Sequence, residues 1–440
     1  MIWLRRAFTL PLILLFFVLL VAAVTVTAVN NTVANSEFYN DQMVKADMYN
    51  YVYDSVLPAA LDEVNTGEGS DAPIDIANFE AEILATAEQV LPPWWLQQQF
   101  EEATRVLVPY FVDDTAGFSY TLVVKDRVED AGQAIKTQIL RSDAFVEVYE
   151  DLMAFMSEQL YPTLPELPPS VVITQTDVEN ALKDAVTLPW LVEQLETAID
   201  EVIPYLTGDQ NHFIVNIPLQ EAVTDDVLLD LLGPGNEAYL NDARDWIGDG
   251  WSFTDADMRD ELDADAEEKL DDARGYIHDG YVFDQDDLRN AMFDNSQDAQ
   301  DFDDARHWIS VGRSLLWVLW LVPFLLLIGI GFLGGRGWKT RAAGPLVILF
   351  FVSLILFLGV MLTWGQWGEA EMRSAIDTSG YQGVEAVMLE KAEEVAINAA
   401  DSFVGNMQDM YMYLLIASGV GLAAVGVWWL VSSRSREDAS

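Results

Sequence analysis

Four uncharged apolar runs constrain this chain more than any other feature: residues 8–29, 314–333, 346–364 and 412–431, of 22, 20, 19 and 20 residues. Each supplies the roughly 20 residues at about 1.5 Å rise that cross a hydrocarbon core. A segment of that kind has to satisfy every backbone polar group internally, so it folds as a helix. The sequence therefore predicts a mainly α membrane protein with four transmembrane helices. No Asp, Glu, Lys, Arg or His falls inside any run. Pumps, voltage sensors and ion pathways need such groups at membrane depth, which argues against a transport core.

Sidedness follows from the flanks. Arg5 and Arg6 precede the first run, Arg336, Lys339 and Arg341 lie between the second and third, and Arg434 and Arg436 follow the fourth. Alternating spans put all of these on one side, which the positive-inside rule makes cytoplasmic. The tails 1–7 and 432–440 and the basic loop 334–345 are then inside. Residues 31–312 and the loop 365–411, with nine acids against Arg373 and Lys391, are outside. The basic start and the small residues Ala22 and Ala23 also resemble a signal peptide, but the apolar run exceeds the usual signal core, which favours an uncleaved anchor. Asn30, in Asn-Asn-Thr, would be a glycan acceptor right at an outer membrane surface.

The formal charge of −48 belongs almost wholly to one block, since residues 31–312 hold 60 acids and 13 bases. Binding of nucleic acid or anionic lipid needs basic surface, so this block excludes both as its partners. Seven lysines and Asp-heavy stretches resemble adaptation to high salt, with diffuse cations condensed on the acidic surface. There is no cysteine, which removes disulfides, thiolate metal sites and thiol nucleophiles.

Two internal repeats organise the block. Residues 95–130 align without a gap on 190–225, sharing eleven identities that include Trp95/Trp190, Pro109/Pro204, Tyr110/Tyr205, Phe118/Phe213 and Asp130/Asp225. With a looser match of 47–58 to 151–162 at an offset of 104, this outlines units near 46–131 and 150–226 in a duplicated ectodomain of 31–232, the polar linker 65–73 absorbing the difference in spacing. Each unit reads as an amphipathic helix (95–106; 191–202) stopped at Pro-Tyr, a turn, a period-two strand and a further helix. With so few strands the two copies of this α+β ectodomain are expected to pair or pack on each other as a pseudo-twofold. The identical aromatics are expected in the core.

The second repeat spans residues 236–312. Leu240 to Leu262 recurs from Leu270 to Met292 at an offset of 30, and a third copy starts at Phe302. Each copy reads as a helix stopped at Asp-Gly, an aromatic stretch, then a helix capped by Thr254 or Asp284, with Arg259 and Arg289 one turn in. A stack of acidic helical hairpins is expected, its last helix running into the second span. Trp246, Trp251, Tyr276, Tyr281 and Trp308 are expected to fill hairpin cores, with contact to lipid headgroups as the alternative.

No chemistry stands out. His212, His278 and His307 lack metal-ligand spacing, and no activated-nucleophile or phosphate-loop motif occurs. The densest acidic run, Asp263 to Asp272, lacks the spacing of a calcium loop and reads as a helix face. Gly329, Gly331 and Gly334 match a dinucleotide fingerprint only on paper, because no strand precedes them; they read as helix packing, as do Gly419 and Ala423. No catalytic, cofactor-binding or metal residue is assigned. The expected role is a non-catalytic binding, scaffolding or surface-interaction protein with an unknown extracytoplasmic partner. A sensor or accessory subunit of a membrane complex is the alternative, and an ectoenzyme the third.

Overall fold

The computed structural model describes residues 2–66, 76–164, 172–233, 236–241, 244, 250–293, 296–334, 337–375 and 380–437. The described residues are mostly helical, with four short strands: β1 (Ser119–Leu122), β2 (Ile214–Ile217), β3 (Trp251–Thr254) and β4 (Tyr281–Asp284). It divides into two compact units. The first comprises Met1–Tyr49, Gln97–Tyr120 and Asp284–Ser440, the second Asn50–Leu96 and Thr121–Phe283.

Among the described residues the first unit holds four helices long and apolar enough to cross a membrane, within Ile2–Asn31, Leu316–Gly334, Trp338–Thr363 and Gly383–Glu437. Phe16, Leu20, Val24, Leu327, Ile330, Val352 and Tyr411 form their common core. The last helix runs unbroken for 55 residues, so much of the segment expected as a loop after the third span is helical. Lipid offers helices no hydrophobic gain from meeting one another, and close packing has to hold them together. Gly331 serves that role. A Cβ there would sit 2.5 Å from the Arg341 carbonyl oxygen and 2.7 Å from Pro345, whereas Gly329 faces open space. Gly421, 3.0 Å from Leu346 by the same measure, is the tight position on the last helix, ahead of Gly419. At the upper end Trp320 donates its indole N–H to Thr27 at 2.9 Å.

Polar contacts continue above the bundle. Arg313 donates to Asn30 at 2.8 Å and to Asp114 at 2.7 Å. The helix Ser296–Ser314 leads into Leu316–Gly334 through Leu315 alone, close to the continuous helix expected from the sequence. Gln42, buried on Ser36–Lys45, accepts from Ser402, which in turn accepts from Lys45.

The second unit is built on helices Asp143–Leu160, Gln175–Ala185 and Leu188–Leu206. Ser142, Thr174 and Thr187 cap them, each accepting from a backbone N–H three residues on and so satisfying a donor the helix leaves free. One core gathers Phe79, Leu140, Phe145 and Val148, another Tyr149, Met153, Ala185 and Val186. The helix Lys125–Ala134 reaches Leu188–Leu206 closely because Gly132 carries no Cβ; one would lie 2.8 Å from Ile203. Lys136, buried nearby, pairs with Asp200. Tyr53 donates to the Leu91 carbonyl and Tyr149 to that of Val186. Leu91 and Val186 are 95 apart and the tyrosines 96, so a like bond recurs close to the offset of 95 that aligns residues 95–130 with 190–225.

The strands depart from expectation. β1 and β2, one in each repeat copy, do not pair with each other: β1 pairs with β4 and β2 with β3. The β2–β3 ladder is antiparallel, from Ile214 opposite Thr254 to Ile217 opposite Trp251. Aromatic stretches expected as links inside helical hairpins are therefore strands that complete two-stranded ribbons. Gly250 and Gly280 start them at φ 120° and 87°, conformations in which L side chains are strained. Thr254 and Asp284 then cap the next helices, each in a reciprocal box with the aspartate three residues on.

Candidate functional site

Each repeat copy ends its long helix in the same way. The helices Pro93–Phe111 and Leu188–Leu206 pass through Pro109 and Pro204 instead of stopping there. Each proline lies in the last turn, where the missing N–H costs one bond and the chain is about to leave the helix. The turn is closed by a residue in the left-handed region, Asp113 at φ 59° or Gly208 at φ 76°. The Pro109 carbonyl then accepts from Asp114 N–H, and the Pro204 carbonyl from Gln210 N–H, both at 2.9 Å. Tyr110 and Tyr205, next along, are fully buried.

An arginine covers each tyrosine. Arg274 lies 3.9 Å over the Tyr205 ring and donates to the Tyr205 carbonyl at 2.8 Å and the Gln210 carbonyl at 3.0 Å. Arg306 lies 3.8 Å over the Tyr110 ring and donates to the Tyr110 carbonyl at 2.6 Å and the Thr115 carbonyl at 3.0 Å. Each guanidinium thus donates to one carbonyl in the last turn of its helix, where the helix dipole favours a cation, and to one in the turn beyond it. A second arginine is the fifth residue of a short helix, Asp255–Asp260 or Gln285–Met292. Arg259 donates to the Tyr205 hydroxyl at 2.9 and 3.1 Å and is held by Asp271 at 2.6 Å and Glu267 at 2.9 Å. Arg289 is held by Asp303 at 2.5 Å and faces the Tyr110 hydroxyl, without a hydrogen bond of normal geometry. Asp271 and Asp303 also pair with the ring-covering arginines, at 3.6 and 3.4 Å.

Two Tyr-Arg-Arg-Asp clamps result, one in each unit. The arginine hydrogen bonds hold Asp271 below the usual carboxylate range, and Asp303 raises Arg289 further. Both tyrosines are buried, and the clamps fasten segments to one another. Phe118 and Phe213 sit edge-on to the tyrosines at 5.1 and 5.2 Å. The expectation that the identical Tyr and Phe are core residues agrees with their burial, while Trp95 and Trp190 are half-buried.

The hairpin aromatics differ. Trp251, Tyr276, Tyr281 and Trp308 are exposed, Trp308 by 71%, and Trp246 lies outside the described residues. Trp251 and Tyr281 occupy the outer ends of their strands, while the inward positions fall to Phe253 and its counterpart. The histidines stay apart: His212 binds Asp255 at 2.9 Å, His278 the Thr207 carbonyl at 3.0 Å, and His307 lies 3.8 Å from Asp113. Among the described residues no three His, Asp or Glu are grouped to hold a metal ion. The Asp263 to Asp272 run lies on the helix Ala264–Asp279 and its N-cap, where Glu267 and Asp271 serve Arg259.

The second unit also holds a cleft. It has a volume of about 360 Å³ between Asp143–Leu160, Gln175–Ala185 and Asp225–Leu232, and all thirteen lining residues are apolar, among them Met156, Leu160, Leu182, Val223 and Leu228. A second recess of about 440 Å³ shares Ala181, Val227 and Leu231 with it and carries Asp177, Asp184 and Asp230. Thr174 donates to Asp177 and keeps it ionised below its ordinary range. Neither the clamps nor this cleft was found from sequence. The signal for the clamps was present in the bases that recur in an acidic repeat: Asp-Ala-Arg ends at Arg244, Arg274 and Arg306, and Arg259 returns as Arg289.

No protein-family model, curated protein or solved structure matches the chain.

Proposed function

We propose that this chain is a multi-pass membrane protein that displays a duplicated acidic domain outside the cell and binds a partner there without catalysis. Both termini are cytoplasmic in this reading, with residues 31–312 and 365–411 outside. One observation carries the binding role: the second unit's cleft has the volume of a ligand site, yet its lining holds no nucleophile, base or metal-ligating group. The chain has no cysteine of its own, so single introduced cysteines report sidedness directly. In intact cells a membrane-impermeant maleimide should label Ser252→Cys, on exposed β3, and leave Ser435→Cys unlabelled until the cells are opened. Labelling of Ser435→Cys in intact cells would reverse the orientation and remove the reading.

A sensor role is favoured by a different observation. Arg306 and Arg313 stand on the helix that enters the second apolar helix across one residue, and Arg313 also binds Asn30 at the end of the first. A change at the Tyr110 clamp thus has a short mechanical route to two spans. Crosslinking in the native membrane that returns no cytoplasmic or intramembrane partner would count against it.

A further inference from the structure

We propose that the cleft of the second unit binds a small organic cation with an apolar body, an amine or quaternary ammonium on an alkyl or aryl tail, whose head lies in the acidic recess. This rests on the binding role given above and names its ligand class. The tail site follows from the lining, which offers thirteen apolar residues and no polar side chain. Burial there is driven by area removed from water, and tail length should set affinity.

The head site follows from charge. The recess adjoins the cleft, with Ala181, Val227 and Leu231 lining both, and it presents Asp177, Asp184 and Asp230 with no basic residue in its lining. Asp184 and Asp230 make no ion pair among the described residues. Lys183, the residue before Asp184, is occupied by Glu150 and Glu179 and leaves their charge uncompensated. Asp177 stays ionised through Thr174. An anionic ligand is repelled by three carboxylates. A bare metal ion is disfavoured because these acids are not grouped as ligands among the described residues. What complements an apolar cleft beside an acidic recess is a cation carried on an apolar body, its head near the carboxylates and its tail among Met156, Leu182 and Val223.

The full chain in zwitterionic-lipid nanodiscs tests this by calorimetric titration, with empty nanodiscs subtracting partition into lipid. The probes are hexyl-, heptyl- and octyltrimethylammonium and octyl sulfate. Saturable one-site binding of the ammonium series is expected, tightening about fourfold per methylene, the factor that about 0.8 kcal/mol per CH₂ gives. Octyl sulfate should bind at least tenfold more weakly. Asp184→Asn with Asp230→Asn should reduce the preference for the cation while leaving the chain-length slope, and Val227→Trp should abolish binding by filling the wall shared by both cavities. Hydrogen exchange at the Tyr205 clamp, unchanged in each variant, verifies folding. No saturable signal above empty nanodiscs, equal affinity for octyl sulfate, or indifference to the paired Asp→Asn change each overturns the proposal. Its failure is separable from that of the parent reading: absent cation binding with Ser252→Cys labelled from outside removes only the ligand class, whereas reversed labelling removes the display role and leaves the cleft's chemistry standing.

Discussion

Replacing Arg306 by alanine should loosen one clamp and spare the other. Arg306 is 5% exposed, spans the Tyr110 and Thr115 carbonyls, covers the Tyr110 ring at 3.8 Å and lies 3.4 and 3.6 Å from Asp303 and Asp113. Hydrogen bonds from a charged donor are worth about 1.5–3 kcal/mol each, and a desolvated cation–π contact about 2 kcal/mol. Against these stands the cost of burying the guanidinium, and breaking a buried charged network by removing one partner typically costs about 3–5 kcal/mol net. The lower end applies, because the Tyr110 carbonyl keeps the Asp113 N–H as a donor at 3.2 Å. About 3 kcal/mol corresponds to roughly 150-fold faster exchange of amides that open with the clamp, at about 1.4 kcal/mol per tenfold. Hydrogen-exchange mass spectrometry on the full chain in nanodiscs should show this at residues 110–115 and 302–312. Residues 205–210 and 271–279 serve as an internal control and should stay within about twofold. Arg306→Lys should fall between, since an ammonium keeps the charge but not the planar fork that reaches two carbonyls. Exchange at 110–115 unchanged within threefold, or an equal rise at the Tyr205 clamp, would refute the reasoning.

Four further outcomes follow from the same physics. Arg274→Ala should act at residues 205–210 with a smaller effect, about 2 kcal/mol, because this side chain is 14% exposed against 6% for Arg306. Acidification should loosen the Tyr205 clamp: Asp271 has its pKa lowered by Arg259, so its contribution is complete above the ordinary carboxylate value of about 3.9 and is lost as pH falls through its lower folded value. Asp271→Asn should remove that dependence, and exchange at 205–210 measured against pH reads both. Gly331→Leu should destabilise the helical bundle by about 1–3 kcal/mol, since even a Cβ would meet the Arg341 carbonyl, whereas Gly329→Leu should be near neutral; unfolding in mixed micelles compares them. Transfer to about 10 mM salt without divalent ions, where the Debye length reaches about 30 Å, should reduce the helical circular dichroism of the acidic domain, and an unchanged spectrum would sink the high-salt reading.

Features governed by local chemistry were legible in the sequence. The four apolar helices follow from length and hydropathy alone. The caps at Thr254 and Asp284 follow from a side-chain oxygen placed three residues before an aspartate. What was not legible depends on partners distant along the chain. Strand patterning gives β1 and β2 a face but no address, and nothing local says that each is completed from residues 251–284. The helices running past Pro109 and Pro204 were missed because a proline's cost falls to one lost bond when the next carbonyls find donors, here in the turn and in Arg306 or Arg274. Exposure of Trp251, on a strand, and of Trp308, on the helix Ser296–Ser314, was missed for a related reason, since an aromatic is core only if an opposing surface covers it. The cleft is written in no motif, because its walls come from three helices and Met156 is 75 residues from Leu231.

The strand pairings have a consequence for how the chain is made. In sequence order the four strands close like nested brackets, β2 with β3 inside β1 with β4. The inner bracket joins residues as close as Ile217 and Trp251 and can shut as soon as both have left the ribosome. The outer one waits while its β1 half, with Phe118 and Tyr110 behind it, stays uncovered through more than 150 residues of further synthesis. A simple loop-closure scale makes the outer join only about 1 kcal/mol costlier, and less once the inner bracket has shortened the path. The delay is a matter of time, not of energy. The residue that seals it, Arg306, emerges just ahead of the second apolar helix, so the last closure of the acidic domain coincides with the arrival of the segment that anchors its far end. A chain halted before residue 281 would hold a finished inner bracket and an open outer one, offering β1 to the wrong partner.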